Sequence, residues 1–318
     1  MSTKAVNVAP DSTQTQKARR KFSDPSWAWP PKRRDLLLKA ALLADDSAAR
    51  AILRHWLAQY DLDEIKFADH RLLAAIFERH GVALNDLPEY ARLKGLQRQL
   101  WTQSRIRLHE ALPLLQKLEA SGITIMLLKG AARVALKAST LRQRASQDVD
   151  ILVREDQMAK AAQILTFNGW QTARGDTAFS AIARAPATRA INFQLPPWGD
   201  IDLHRQAYHG HHNNDEMDRN LWLEAKPAVF FGLSVLVPSP EERLAMTLSH
   251  GAFSPDSHSD WLMDAAEILN SGDLDWARAS NIFTKRKIVL QTQIGLSYLQ
   301  SELNMNLPKE VEDQLASV

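Results

Sequence analysis

The chain has 318 residues, 45% hydrophobic and 24% charged, the composition of an ordinary globular protein with room for a large core and two subdomains. Its 39 basic and 37 acidic residues leave a net charge of +2, which demands neither a nucleic-acid nor a membrane partner. The absence of cysteine excludes disulfides, thiolate nucleophiles and cysteine-ligated zinc; with no apolar run of membrane-spanning length and no secretory h-region, the expected compartment is the cytoplasm.

Residues 1–24 are polar, with Lys17, Arg19, Arg20 and Lys21 clustered, and read as a disordered basic tail. Trp27, Trp29, Pro30 and Pro31 read as a strap packed on the domain, so residues 1–29 form tail and strap. From Asp35 to Ala120 apolar residues recur at helical spacing, as in Leu36, Leu37, Ala40 and Leu43, or Leu72, Leu73, Ile76 and Phe77. Asp86-Leu-Pro88-Glu89 offers a capping acid and a first-turn proline to a helix that Ser121-Gly122 should stop. Residues 30–121 are thus expected as a helical N-terminal layer without chemistry of its own.

The next segment differs. Ile123 to Leu128 is an apolar run of strand length, ended by Lys129-Gly130 and followed by alanine- and lysine-rich residues that favour helix. After the basic residues Arg142 to Arg144 comes Asp148-Val-Asp150-Ile-Leu-Val153, a strand pattern opening with two acids two positions apart, hence on one face. Two such carboxylates repel, and a divalent cation such as Mg²⁺ removes the conflict while also binding substrate phosphates. Gly130, at the mouth of a helix, would let backbone N–H groups approach a triphosphate. The alternative for the acids is a solvated strand edge.

Glu155 to Asn168 reads as a helix ended by Gly169, and 171–188, polar and alanine-rich, with Arg174, Arg184 and the adjoining Arg189, as a mobile rim near the substrate. Ala190 to Leu195 and Ile201 to Leu203 read as a hairpin around Pro196-Pro-Trp-Gly199. Its second strand alternates Asp200, Asp202 and His204 with Ile201 and Leu203, placing three polar groups on one face. Asp200 reads as an exposed acid at the strand start, and His204 as orienting Asp202 or a phosphate. A zinc site from His204, His209, His211 and His212 is disfavoured by their spacing. A helix from Asn214, a strand at Leu233 to Val237 and a helix opened by Ser239-Pro240 follow, and Lys285-Arg286-Lys287 reads as a solvated basic run at the start of another helix, with contact to an anionic substrate as the alternative. His250 and Asp264 read as hydrogen-bonding links between helices, with ligand binding as the alternative.

Strand, glycine turn, helix and a D-x-D strand resemble the core of the DNA polymerase beta nucleotidyltransferase superfamily. More narrowly, LLKGAA followed by Arg144, Asp148 and Asp150 in R-x-x-x-D-x-D-I-L-V is similar to a bacterial family of uncharacterised nucleotidyltransferases. PPKRRDLLLKAALL, RLLAAIFERHGV, RLKGLQRQLW, DIDLH and LSHGAF with WLMDAAEIL resemble further blocks of it, over about residues 30 to 305. Lys129-Gly130-Ala131 stands where many superfamily members have Gly-Ser, so no serine hydroxyl is available there to a phosphate.

The resemblance implies an α+β fold, with a small mixed β-sheet core over 122–237 between the helical N-terminal layer and a helical C-terminal subdomain over 238–318. It implies transfer of a nucleoside monophosphate from an NTP to a hydroxyl acceptor, which could be a small molecule, a protein or RNA. Asp148 and Asp150 would bind Mg²⁺ or Mn²⁺, and Asp202 would be the third metal acid and the general base. Lys129 and Arg144 would neutralise the β- and γ-phosphates, with Lys129 alternatively paired to an acid in the interior. Three other readings stay open: a toxin-like or macromolecule-modifying nucleotidyltransferase, a nucleotide-binding module without turnover, and transfer of the terminal phosphate. No motif specifies the acceptor, the base or the oligomeric state.

Overall fold

A computed structural model describes residues 25–143, 145–253 and 259–316; the expected tail at 1–24 and Arg144 lie outside them. Among the described residues seven strands form one mixed sheet: β1 (Met126–Leu127), β2 (Val149–Leu152), β3 (Gln171–Thr172), β4 (Ala190–Leu195), β5 (Gly199–His204), β6 (Lys226–Phe230) and β7 (Leu233–Val237). Their spatial order is β3-β4-β5-β2-β1-β7-β6, with β2 parallel to β5, β1 parallel to β7 and the other pairs antiparallel. Helices α1 (Lys32–Leu42), α2 (Asp46–Leu57), α3 (Phe67–His80) and α4 (Tyr90–Ala120) precede the sheet. Within it lie α5 (Lys129–Leu136), α6 (Met158–Phe167), α7 (Ala178–Arg184) and α8 (Asp215–Leu223). After it come α9 (Pro240–Phe253), α10 (Trp261–Asn270), α11 (Trp276–Lys285), α12 (Val289–Leu303) and α13 (Lys309–Ala316). The fold is therefore α+β, as expected. No helix among the described residues is long and apolar enough to cross a membrane.

Alternation along the central strands assigns each residue to one of two apolar clusters. Ile125, Leu127, Val149, Ile151, Ile201 and Leu203 pack with α4 and α6 on one face. Met126, Leu128 and Leu152 pack on the other, in a cluster shared by α1 to α3 and α9 to α12. Each fully buried leucine or isoleucine contributes about 1.5–3 kcal/mol, so this alternation fixes the register firmly. Asp150, Asp202 and His204 have the parity of Leu152, and so stand on the face turned toward α9 and α10.

Several local signals act as expected. Gly122, at φ 76°, ends α4, with Gly122 N–H donating to Glu119 and Ile123 N–H to Leu118. Trp29 of the strap packs edge-on against Tyr298 at 5.7 Å. Gly251 in α9 leaves room for the Trp261 ring, which a Cβ would meet at 2.1 Å, and this close approach fixes α9 against α10.

Other readings need correction. The run Ile123 to Leu128 pairs as a strand only at Met126 and Leu127, although Leu128 N–H still donates to the Asp150 carbonyl at 3.0 Å. Asp86 does not cap α4, which begins at Tyr90; its carboxylate pairs with Arg50. The segment 171–188 is no bare loop, since it contains β3 and α7, the latter capped by Thr177. Strand β6 went unread because Pro227 counts against a strand interior, yet β6 is the sheet edge, where proline is tolerated. Lys285-Arg286-Lys287 ends α11 rather than starting α12, and basic residues there complement the C-terminal dipole. Arg286 is fully buried instead of solvated.

Candidate active site

Parallel pairing of β2 with β5 places Asp150 directly opposite Asp202, and Leu152 opposite His204. Because Ile151, Ile201 and Leu203 are held in the core behind, Asp150 and Asp202 project forward into a cleft of about 500 Å³, with His204 buried beside them. Its acidic end carries Lys129, Gly130, Asp148, Asp150 and Asp202; Arg71, Arg133, Lys137, Arg243 and residues of α9 and α10 complete the wall.

At the centre, Asp150 is 2% exposed and its Oδ1 accepts from Lys129 Nζ at 2.6 Å and from His204 Nε2 at 3.0 Å. His204 Nε2 also lies 3.1 Å from Asp202 Oδ2. Asp150, Asp202 and His204 offer ligand atoms within 4.8 Å of one another. Asp148 lines the cleft beside this group without joining it, and its backbone carbonyl is held by Ser146 Oγ at 2.8 Å. Lys129 takes up φ 44°, a left-handed conformation that costs a lysine about 1–2 kcal/mol, at the junction of β1 and α5.

The charges respond to one another. Asp148 is pushed up to about 6 by burial and by the neighbouring Asp150 and Asp202 carboxylates, which Lys129 only partly offsets. Burial works against ionising Asp150, but the Lys129 ammonium and His204 outweigh it and hold this acid well below the usual carboxylate range. Asp202 is likewise held low, its burial being outweighed by the hydrogen bond from His204. Burial disfavours a charged Lys129, and Asp150 more than restores it. One lysine therefore faces three aspartates.

His204 is fully buried, and its role follows from its other nitrogen. Arg189 Nη1, which can only donate, stands 3.3 Å from Nδ1. Nδ1 therefore accepts and Nε2 carries the proton, donating to the two carboxylates. A metal-bound Nε2 would need its proton on Nδ1, facing a guanidinium donor, so His204 fits a hydrogen-bonding support for the acids better than a metal ligand. Burial lowers the basicity of the ring, and the hydrogen bonds to Asp150 and Asp202 more than offset it, raising it above the ordinary imidazole value. The oxygen donors that remain suit a hard divalent cation.

The other candidates fall as follows. Asp200 is half-buried rather than exposed, its Oδ1 held by Asn192 Nδ2 at 2.6 Å. His212 is buried with Nδ1 2.9 Å from the Arg286 carbonyl, and His211 stacks on it at 3.9 Å, so neither joins His204. His209 lies 6.3 Å from His250, ring to ring, at the acidic end of the cleft. Asp264 pairs with Arg133 at 3.4 Å, linking α10 to α5. Sequence reasoning missed Arg71, Arg133 and Arg243, and read Arg189 only as part of a rim near the substrate. Arg133 was readable, being four residues beyond Lys129 on the same helix face; the others come from distant segments.

Clustered carboxylates opening into a cleft with cationic walls define a site for a divalent cation and an anionic substrate. The family comparison adds the chemistry: residues 66–304, most of the chain, match the model of the uncharacterised nucleotidyltransferase family, and the protein belongs to that family. It is thus an enzyme, a transferase of phosphorus-containing groups. No curated protein and no solved structure gives a significant match.

Proposed function

We propose that the enzyme transfers a nucleoside monophosphate from an NTP to a hydroxyl acceptor, releasing pyrophosphate, with Mg²⁺ or Mn²⁺ as its cation. The observation that carries this reading is the parallel register of Asp150 with Asp202 beside the Lys129-Gly130 junction, in the wall of a cleft large enough for a nucleotide. Asp148, Asp150 and Asp202 are the residues that would hold the cation, whose chemistry there is to neutralise phosphate charge and to help ionise the attacking hydroxyl.

Asp202 is our general base. Its side chain is 21% exposed against 3% for Asp150, so it can reach an acceptor, and it is ionised at neutral pH. The acceptor oxygen attacks the α-phosphorus, its proton passes to Asp202, and the bond to pyrophosphate breaks. His204 holds Asp150 and Asp202 in register. Gly130, in the first turn of α5, offers backbone N–H groups and the positive helix end to phosphate oxygens. Lys129 exchanges Asp150 for the phosphate tail when substrate binds. Arg144 is assigned to the same tail on its sequence position.

Incubating the enzyme and cell extract with each α-³²P NTP, and separately γ-³²P ATP, tests this against Asp148→Ala and Asp150→Ala. Label from the α position, lost in both variants, is expected, and its fraction identifies a small-molecule, protein or RNA acceptor. Label from the γ position alone would make the reaction a phosphoryl transfer instead.

A further inference from the structure

The cleft has a second pole. His250 lines the cleft beside His209, whose basicity is lowered by burial and then by Arg189 and Lys129 of the acidic end. Arg243 lies seven residues earlier on α9, about 10 Å along a helix that rises 1.5 Å per residue. The charges acting on Arg243 are those of Glu267, Glu241 and Asp273, not of the three aspartates.

Two of these acids are engaged elsewhere, and the third, Asp273, is exposed and lines the same cleft. Glu267 pairs with Arg133, and Glu241 accepts from the Asp275 N–H at 3.0 Å with Arg278 at 3.8 Å. Arg243 itself makes no side-chain hydrogen bond and no ion pair among the described residues, and its Nε is buried without an acceptor. Burial lowers its basicity, and the three acids only partly compensate. Half-buried in the cleft wall and only partly compensated by these acids, the guanidinium keeps N–H donors available to an anion in the cleft. Lys137, exposed just beyond α5, lines the same cleft without an ion pair among the described residues.

We propose that Arg243, assisted by Lys137, is a second anion-binding point that takes a phosphate or carboxylate group of the molecule whose reacting end lies at Asp148, Asp150 and Asp202. The planar guanidinium can hold two oxygens of such a group at once. Placement of the reacting end rests on the transfer reading above; anion binding at Arg243 does not. The anion belongs either to the phosphate tail of the donor or to an acidic group of the acceptor.

The test is calorimetric titration with inorganic tripolyphosphate in EDTA, which removes the contribution of a cation, for the wild type, Arg243→Gln, Arg243→Lys and Asp150→Asn. Saturable binding is expected, weakened at least tenfold in Arg243→Gln, less in Arg243→Lys, and not weakened in Asp150→Asn. The melting temperature of Arg243→Gln should stay level or rise, because no partner is lost. Equal binding by wild type and Arg243→Gln, or a fall of several degrees in Arg243→Gln with binding unchanged, would overturn the proposal whether or not nucleotidyl transfer is detected. If Arg243→Gln also weakens NTP binding tenfold the anion is the donor's; unchanged NTP binding assigns it to the acceptor.

Discussion

Two clusters of buried charge border α9, and they differ in one respect. Around Arg286 the guanidinium meets Asp218 at 2.8 Å and Glu242 at 3.2 Å, lies 3.9 Å from the Tyr208 ring, and Tyr208 donates to Glu242 at 2.5 Å. Here each carboxylate has a cationic partner. In the cleft, Asp148, Asp150 and Asp202 face one lysine and open onto free volume. Compensated charge joins α8, α9 and the α11–α12 turn; uncompensated charge stands ready for a cation and a substrate.

The largest effects should separate the two clusters. Asp150→Asn is expected to reduce transfer at least a thousandfold in protein that still folds, as read by ³²P labelling and thermal denaturation. Arg286→Ala should do the reverse, destabilising by about 3–5 kcal/mol through the carboxylates it strands, while the enzyme that remains folded keeps its specific activity. Urea unfolding measures the first quantity and active-site titration of the folded fraction the second. If Arg286→Ala abolished activity in fully folded protein, the distinction would fail.

Smaller effects sharpen it. His204→Ala should weaken Mn²⁺ binding and the rate some 10–100-fold, as loss of an orienting group does at metal sites. A titration with Mn²⁺ followed by its paramagnetic signal would show it. The pH dependence is smaller still. Asp148, held up to about 6 in the folded chain and near 3.9 when unfolded, opposes folding once it is ionised. That penalty is absent below the unfolded value, grows as pH rises between the two, and is complete above about 6. Asp148→Asn should therefore raise the melting temperature of the metal-free protein by a few degrees at pH 8 and by less at pH 5. The same proton competes with a cation, so Mn²⁺ affinity should fall as pH drops through about 6.

What the sequence disclosed depended on the range of the interaction. Period-two alternation in Val149 to Leu152 and Gly199 to His204 was visible locally, and with it the shared face of Asp200, Asp202 and His204. Gly122 and Gly169 signalled helix ends for the same reason. The pairing of β2 with β5, which brings Asp150 to Asp202 across more than fifty residues, was anticipated only through resemblance to known nucleotidyltransferases. Arg189 behind His204, and Arg71 and Arg243 in the cleft wall, depend on tertiary packing and left no local pattern. Arg286 misled because a basic run is ordinarily solvated, whereas Glu242 and Asp218 were waiting for this one in the fold. The single-turn strand β1 and the edge strand β6 were misjudged because pairing, not composition, sets their extent.

The central claim is that Lys129 alone does not balance the three cleft aspartates and that a divalent cation supplies the missing charge. Titration of Mn²⁺ into wild-type protein and the Asp150→Asn variant, each with a non-hydrolysable NTP, tests it most directly. One or two saturable sites per chain in the wild type, lost in Asp150→Asn, is the predicted result. Equal binding by both proteins, or none by the wild type, would contradict it.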